Sequence, residues 1–149
     1  MNSRARRPWL IALVVSAGLT AALYWRALGL PFYSDDLLQI LWVRATPLLD
    51  VWRSVGPYGD YRPLHFSVWK VLHWLGLLSP APVHALNLLA HASCGALIGL
   101  LAARWSARPA LAAALGAAFF AVFPFALDTV PWAVSFSYPL ALSLALGAL

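Results

Sequence analysis

The feature that most constrains this chain is where its charges are missing. No Asp, Glu, Lys or Arg interrupts residues 8–25, 71–103, 109–127 or 129–149. A helix of about 20 apolar residues crosses the hydrocarbon core of a bilayer, and four such runs cover more than half of the chain. Composition agrees: 62% of residues are hydrophobic and 10% charged, against roughly 45–50% and about 25% in soluble domains. These figures argue against a soluble globular domain and against a disordered tail. Eight Trp, five Tyr and seven Phe suit membrane interfaces. The expected fold is therefore all-α, a polytopic membrane protein.

The uncharged stretch from Pro8 to Trp25 spans 18 residues, long for the 7–15-residue apolar core of a cleaved signal peptide. It reads as an uncleaved first span, about 8–27. Arg4, Arg6 and Arg7 before it place the N-terminus in the cytoplasm. Residues 28–82 form a long outer loop, with mixed charges and turn residues such as Pro47, Gly56, Pro57, Gly59 and Pro63. Leu37, Leu38, Ile40, Leu41 and Trp42 suit a helix lying in the interface, and residues 64–79 a second one. Pro80 and Pro82 then separate this helix from a span over 83–103. Arg104 and Arg108 frame a short cytoplasmic turn before a third span, 109–127. A fourth span, 132–149, ends without a charged flank, as expected of a chain whose C-terminal remainder is missing.

The net charge of +5 does not point to nucleic acid. No basic run exceeds Arg4-Ala5-Arg6-Arg7, and a nucleic-acid-binding module needs a basic patch. The single cysteine, Cys94, permits no intrachain disulfide and no CxxC site; a small core residue is expected there.

Four groups of residues could carry chemistry. Asp35 and Asp36 read either as the first turn of a helix capped by Ser34 or as a catalytic pair beside the membrane. A carboxylate near a bilayer is costly without a partner, and the two readings are compatible. Asp128 is either a solvated helix end or a third acid sharing the outer face. Tyr61-Arg62-Pro63-Leu64-His65 enters a helix at Pro63; it could be an interfacial anchor or a guanidinium clamp for phosphate oxygens. His84, Asn87 and His91 recur at spacings of three and four on one helix face. Polar residues within a span face neighbouring helices and hydrogen-bond to them; a direct substrate or metal role is the alternative. His73, among Trp69, Trp74 and leucines, reads as interfacial.

In this order, the motifs resemble the N-terminal membrane region of the GT-C superfamily of polyprenyl-phosphate-sugar-dependent glycosyltransferases. The likeness is greatest to the O-mannosyltransferase-like region of tetratricopeptide-repeat glycosyltransferases. It rests on Tyr33-Ser34-Asp35-Asp36, Tyr61 to His65, Asn87-Leu88-Leu89-Ala90-His91, and Phe123-Pro124 through Asp128 to Trp132. Asp128 stands where relatives often carry Glu, and Phe123 where a His is common. Members of the family have many more spans and usually a soluble C-terminal domain.

The resemblance implies transfer of a sugar from a polyprenyl-phosphate donor to a protein, lipid or glycan acceptor, with inversion, on the extracytoplasmic face of a membrane such as the bacterial inner membrane. Asp35 or Asp36 would be the base and Asp128 would assist at the acceptor side. Arg62, with Tyr61 and His65, would hold the lipid-linked phosphate, and His84, Asn87 and His91 would line the substrate site. Asp35, Asp36 and Asp128 could also bind magnesium, manganese or calcium, although several relatives work without metal. The competing expectation is a non-enzymatic polytopic protein, such as a transporter segment or an assembly subunit.

Overall fold

The computed structural model describes residues 7–149, and all regular structure among them is helical. Arg4 and Arg6, on which the N-terminal orientation partly rests, lie outside the described residues. Helix α1 (Arg7–Tyr24) runs into a 3-10 turn, Trp25–Gly29. The long connection that follows carries α2 (Asp35–Ala45), the short α3 (Leu48–Val51) and α4 (Pro63–Trp74). Then come α5 (Pro80–Arg104), α6 (Pro109–Ala121), the short α7 (Ala126–Thr129), a 3-10 turn at Ala133–Phe136 and α8 (Ser137–Gly147).

Two helices, Pro8–Gly29 and Pro80–Arg104, are long and apolar enough to cross a membrane. Three complete spans and part of a fourth were expected, and the last two differ. The uncharged run 109–127 is helical only to Ala121, 13 residues in α6, which at 1.5 Å per residue is too short for a bilayer core. Pro124 stops it. A proline disfavours the α conformation of the residue before it and has no N–H to continue the ladder. The segment expected as 132–149 begins with the 3-10 turn and has only 11 residues in α8. Pro80 and Pro82 open α5 rather than stand before it, since the first turn leaves backbone N–H groups without intrahelical acceptors anyway. In the loop, α4 ends at Trp74, five residues before the expected 79, and Gly76 follows at φ 71°.

Helices α1, α5 and α6 pack on small residues. Ala12, Ala103 and Ala113 form one buried cluster, and Gly95 lies against Ser16. A Cβ on Gly99 would stand 2.6 Å from the Ala113 carbonyl oxygen, so these backbones approach closely only because Gly is there. The outward faces carry the large apolar residues: Val14, Leu89, Leu115 and Phe119 are all more than 60% exposed. Small residues thus fill the helix contacts and large apolar side chains face outward.

The bundle has two distinct ends. At one, Tyr24 donates to the Ala121 carbonyl (3.1 Å) and clusters with Ala126 and Val130. At the other, Ala12 meets Ala103 and Ala113, near the Arg104–Arg108 turn. Helix α8 runs beside α5 in the same direction, with Cys94 Sγ donating to the Pro139 carbonyl (3.2 Å) and Arg104 Nη1 to the Leu149 carbonyl (3.2 Å). Cys94 is fully buried, as expected. The loop helices build their own core at the first end, from Ile40, Val43, Phe66, Trp69, Val83 and Val134. There, buried Lys70 donates to the carbonyls of Val43 (2.8 Å) and Arg44 (3.0 Å), satisfying the C-terminus of α2.

Candidate functional site

The acidic pair divides its work. Asp36 is fully buried. Its Oδ1 accepts the Val134 N–H at 2.9 Å and its Oδ2 the Tyr33 N–H at 3.2 Å. It therefore ties the start of α2 to the turn 133–136, almost a hundred residues away in sequence. Burial raises its pKa above the ordinary 3.8, the two N–H donors pull it down, and the Asp35 charge adds to the rise. Asp35 is half-exposed and stands within reach of the Tyr58 hydroxyl.

The predicted Ser34 cap does not form. Ser34 makes no side-chain capping bond; its hydroxyl donates to Asp35 Oδ1 at 3.2 Å instead. Its φ of 52° is the only positive value at a non-glycine residue among those described. Such a conformation costs of order 1–3 kcal/mol and persists where surrounding contacts impose it. Here it turns the chain so that Asp36 points inward while Asp35 faces out.

Asp128 is exposed at the same end of the bundle. Its charge and that of Asp36 both reach Tyr33, whose hydroxyl pKa is raised by burial first and then by those two carboxylates. Tyr33 stacks on Trp132 with centroids 6.3 Å apart. The three acids thus lie at one end of the bundle, Asp36 buried and the other two at its surface, and among the described residues no group of three His, Cys, Asp or Glu side chains is placed to hold a metal ion. The expected three-carboxylate metal site is therefore not assembled among the described residues.

Arg62 is placed by the turn of residues 56–60 and by Pro63 at the start of α4. Its Nε lies 2.9 Å from Asp60 Oδ2, the one ion pair among the described residues. Its Nη1 donates to Ser137 Oγ at 3.3 Å, and the guanidinium sits 5.7 Å from the Tyr138 ring centre, a cation–π distance. Most of its five N–H donors stay free. It heads a groove of about 420 Å³ that continues along α8 past Leu140, Ala141 and Leu144. Tyr61 is exposed and donates to the Trp52 carbonyl (3.0 Å), fixing the loop. His65 is buried against Trp69 (4.4 Å between ring centres) and Phe136 (5.7 Å), with neither ring nitrogen hydrogen-bonded. Burial, and then the Arg62 charge, push its pKa down to about 3.

His84, Asn87 and His91 are all buried on one face of α5, as their spacing predicts. Asn87 Nδ2 donates to the carbonyls of Val130 (2.8 Å), Trp132 (3.0 Å) and Thr129 (3.4 Å), so its first task is to hold the segment behind Asp128. His84 packs beside Phe32 without a hydrogen-bond partner. His91 lies between Phe120 and Tyr24. Neither His84 nor His91 joins the carboxylates. The sequence reading missed Tyr33, Tyr58, Ser137 and Tyr138 as site residues. Tyr33 adjoins the acidic pair and could have been found; Tyr58 and Tyr138 look like any other interfacial aromatic.

Comparison of the chain with protein-family models, curated proteins and solved structures finds no match.

Proposed function

We propose that this chain is part of a membrane glycosyltransferase that moves a sugar from a polyprenyl-phosphate donor to an acceptor on the extracytoplasmic face. The observation that carries this reading is the groove headed by Arg62 and walled below by Leu140, Ala141 and Leu144. A guanidinium at one end and apolar side chains at the other suit a phosphate attached to a lipid tail. The exposed apolar faces of α1, α5 and α6 support a multi-pass membrane setting. Residues 109–149 then lie in the bilayer beside α5, although α6 and α8 are individually short. The GT-C resemblance supplies the reaction class.

In the proposed reaction, Asp35 takes the proton of the acceptor hydroxyl or amine as that atom bonds to the anomeric carbon. The bond from that carbon to the phosphate oxygen breaks with inversion, and the phosphate leaves with the electron pair towards Arg62. Asp35 is the better base of the pair, since it is the carboxylate not bound to backbone N–H groups. Asp128 assists at the acceptor side. No cofactor is required by this scheme.

General-base catalysis contributes about 10²–10⁴-fold. Membranes carrying the Asp35→Asn protein should therefore lose transfer from a polyprenyl-phosphate sugar by that factor. Unchanged turnover would remove Asp35 from the mechanism. A second reading, a non-enzymatic assembly subunit, draws on the structural use of Asp36. It predicts that no substitution at Asp35 or Arg62 alters any transfer activity.

A further inference from the structure

The turn of residues 56–60 is built around one carboxylate. Gly56 N–H donates to the Asp60 carbonyl at 2.7 Å and Gly59 N–H to the Gly56 carbonyl at 3.0 Å, with Gly59 at φ 78°. A Cβ on Gly56 would stand 2.8 Å from Asp60 Oδ1, so the glycine makes room for that side chain. Asp60 Oδ2 meets Arg62 Nε at 2.9 Å. Both carboxylate oxygens are buried and accept no other hydrogen bond, so the Arg62 charge is what compensates them.

Arg62 is in turn held on three sides. Asp60 takes Nε, Ser137 Oγ takes Nη1 at 3.3 Å, and the Tyr138 ring centre lies 5.7 Å from the guanidinium. Five N–H donors less these two leave three for a ligand. Yet the charge at the head of the groove is already balanced. Among the described residues Arg62 is the one Lys or Arg that lines the groove. His65, with its pKa pushed down to about 3, is neutral at physiological pH. An incoming anion therefore meets an ion pair and not a free cation. A phosphodiester, with a single negative charge, can take the three N–H groups in charge-assisted hydrogen bonds. A diphosphate ester carries more than one charge at neutral pH. Its further charge finds no cation and faces the Asp60 carboxylate beside Arg62, where like charges repel.

We propose that Asp60 sets the specificity of this groove, admitting a lipid-linked phosphate of one negative charge and turning away a lipid diphosphate. Asp60 acts through Arg62, as a positioning residue. The inference rests on the reading of the groove as a lipid-phosphate site, and it narrows the donor class of the proposed transfer. A membrane phospholipid is also a phosphodiester on apolar chains, so the test includes one.

Binding of tritiated methyl farnesyl phosphate, a phosphodiester, is measured on the purified chain in detergent, with farnesyl diphosphate and dihexanoylphosphatidylglycerol as competitors. Farnesyl diphosphate should compete at least tenfold less well than the unlabelled diester. Asp60→Asn removes the charge and should move that ratio at least tenfold towards the diphosphate, whereas Asp60→Glu keeps the wild-type order. A merely structural Asp60 lowers the affinity for both lipids together, and that result would overturn the proposal. So would a diphosphate that competes with the diester equally well on the wild-type chain, a comparison that decides the matter even if the variants fail to fold. Equal competition by dihexanoylphosphatidylglycerol would overturn the assignment to a transfer donor and give the groove to membrane phospholipid. Absence of any saturable diester binding would remove the lipid-phosphate reading itself, and the role of Asp60 with it.

Discussion

Asp35 and Asp36 differ by one position, and the strained Ser34 turn sends them to opposite environments. Asp36 accepts two backbone N–H groups in a fully buried site, so Asp36→Asn turns an acceptor into a donor facing one of them. Such a loss costs roughly 1–3 kcal/mol, and a lower thermal unfolding midpoint in detergent is expected. Asp35→Asn should leave that midpoint unchanged while removing activity, so the pair separates stability from chemistry. His65 adds a pH dependence. Its folded pKa, about 3, lies below the ordinary 6.5, so the unfolded chain binds more protons between those values. Its contribution is complete above pH 6.5 and is lost as pH falls through the window, at up to roughly 1.4 kcal/mol per pH unit. Asp36 works the other way: its raised pKa makes stability fall as pH rises above 3.8. Replacing His65 with Leu isolates the first effect, and melts between pH 4 and 7 should then flatten. A slope as steep as wild type would show that His65 is not the titrating group.

At the scale of helices, close packing and open surface make opposite demands on glycine. Gly99 faces the Ala113 carbonyl so closely that a methyl group must push α5 from α6, and overpacking of this kind costs about 1–3 kcal/mol. Gly18 in α1 has nothing within 4 Å of the place its Cβ would take. There an alanine gains roughly 0.4–1 kcal/mol by restricting the unfolded chain. Gly99→Ala should therefore lower the unfolding midpoint and Gly18→Ala raise it; shifts of the same sign would refute this packing. The sequence made α1 and α5 legible through their charge gaps, α4 through its proline start, and α2 through the apolar residues that follow Asp35 and Asp36. It misled at α6 and α8, where an uncharged run passes through Pro124 and a 3-10 turn. Absence of charge reports the solvent of a segment, whereas its hydrogen-bond ladder depends on where N–H groups are missing. The Asn87 clamp was legible as a polar helix face, but its three carbonyl partners depend on where α7 ends.

Across the whole molecule, Asp and Arg side chains gather at the two ends of the bundle. Asp35, Asp36, Arg62 and Asp128 gather where Tyr24 meets Ala121, and Arg104 and Arg108 lie beside the start of α1. The charge pattern anticipated this sorting, since each long helix reverses the chain direction and the cations mark one side. What it could not anticipate is that the loop helices form a buried core of their own, with Trp69 and Phe66 at its centre. That core gives this end of the bundle a fixed shape rather than that of a flexible connection between helices. If the bundle sits in a bilayer as proposed, positive charge at one end places that end in the cytoplasm. Cys94 is fully buried, so single introduced thiols can be read against a silent background. A membrane-impermeant maleimide added to intact cells should label Asp128→Cys and spare Arg108→Cys until the cells are opened. Labelling of both from one side would place the acids and the cationic turn in the same compartment. The proposed outer site and its lipid-phosphate groove would then both fall, even with every helix where the fold has it.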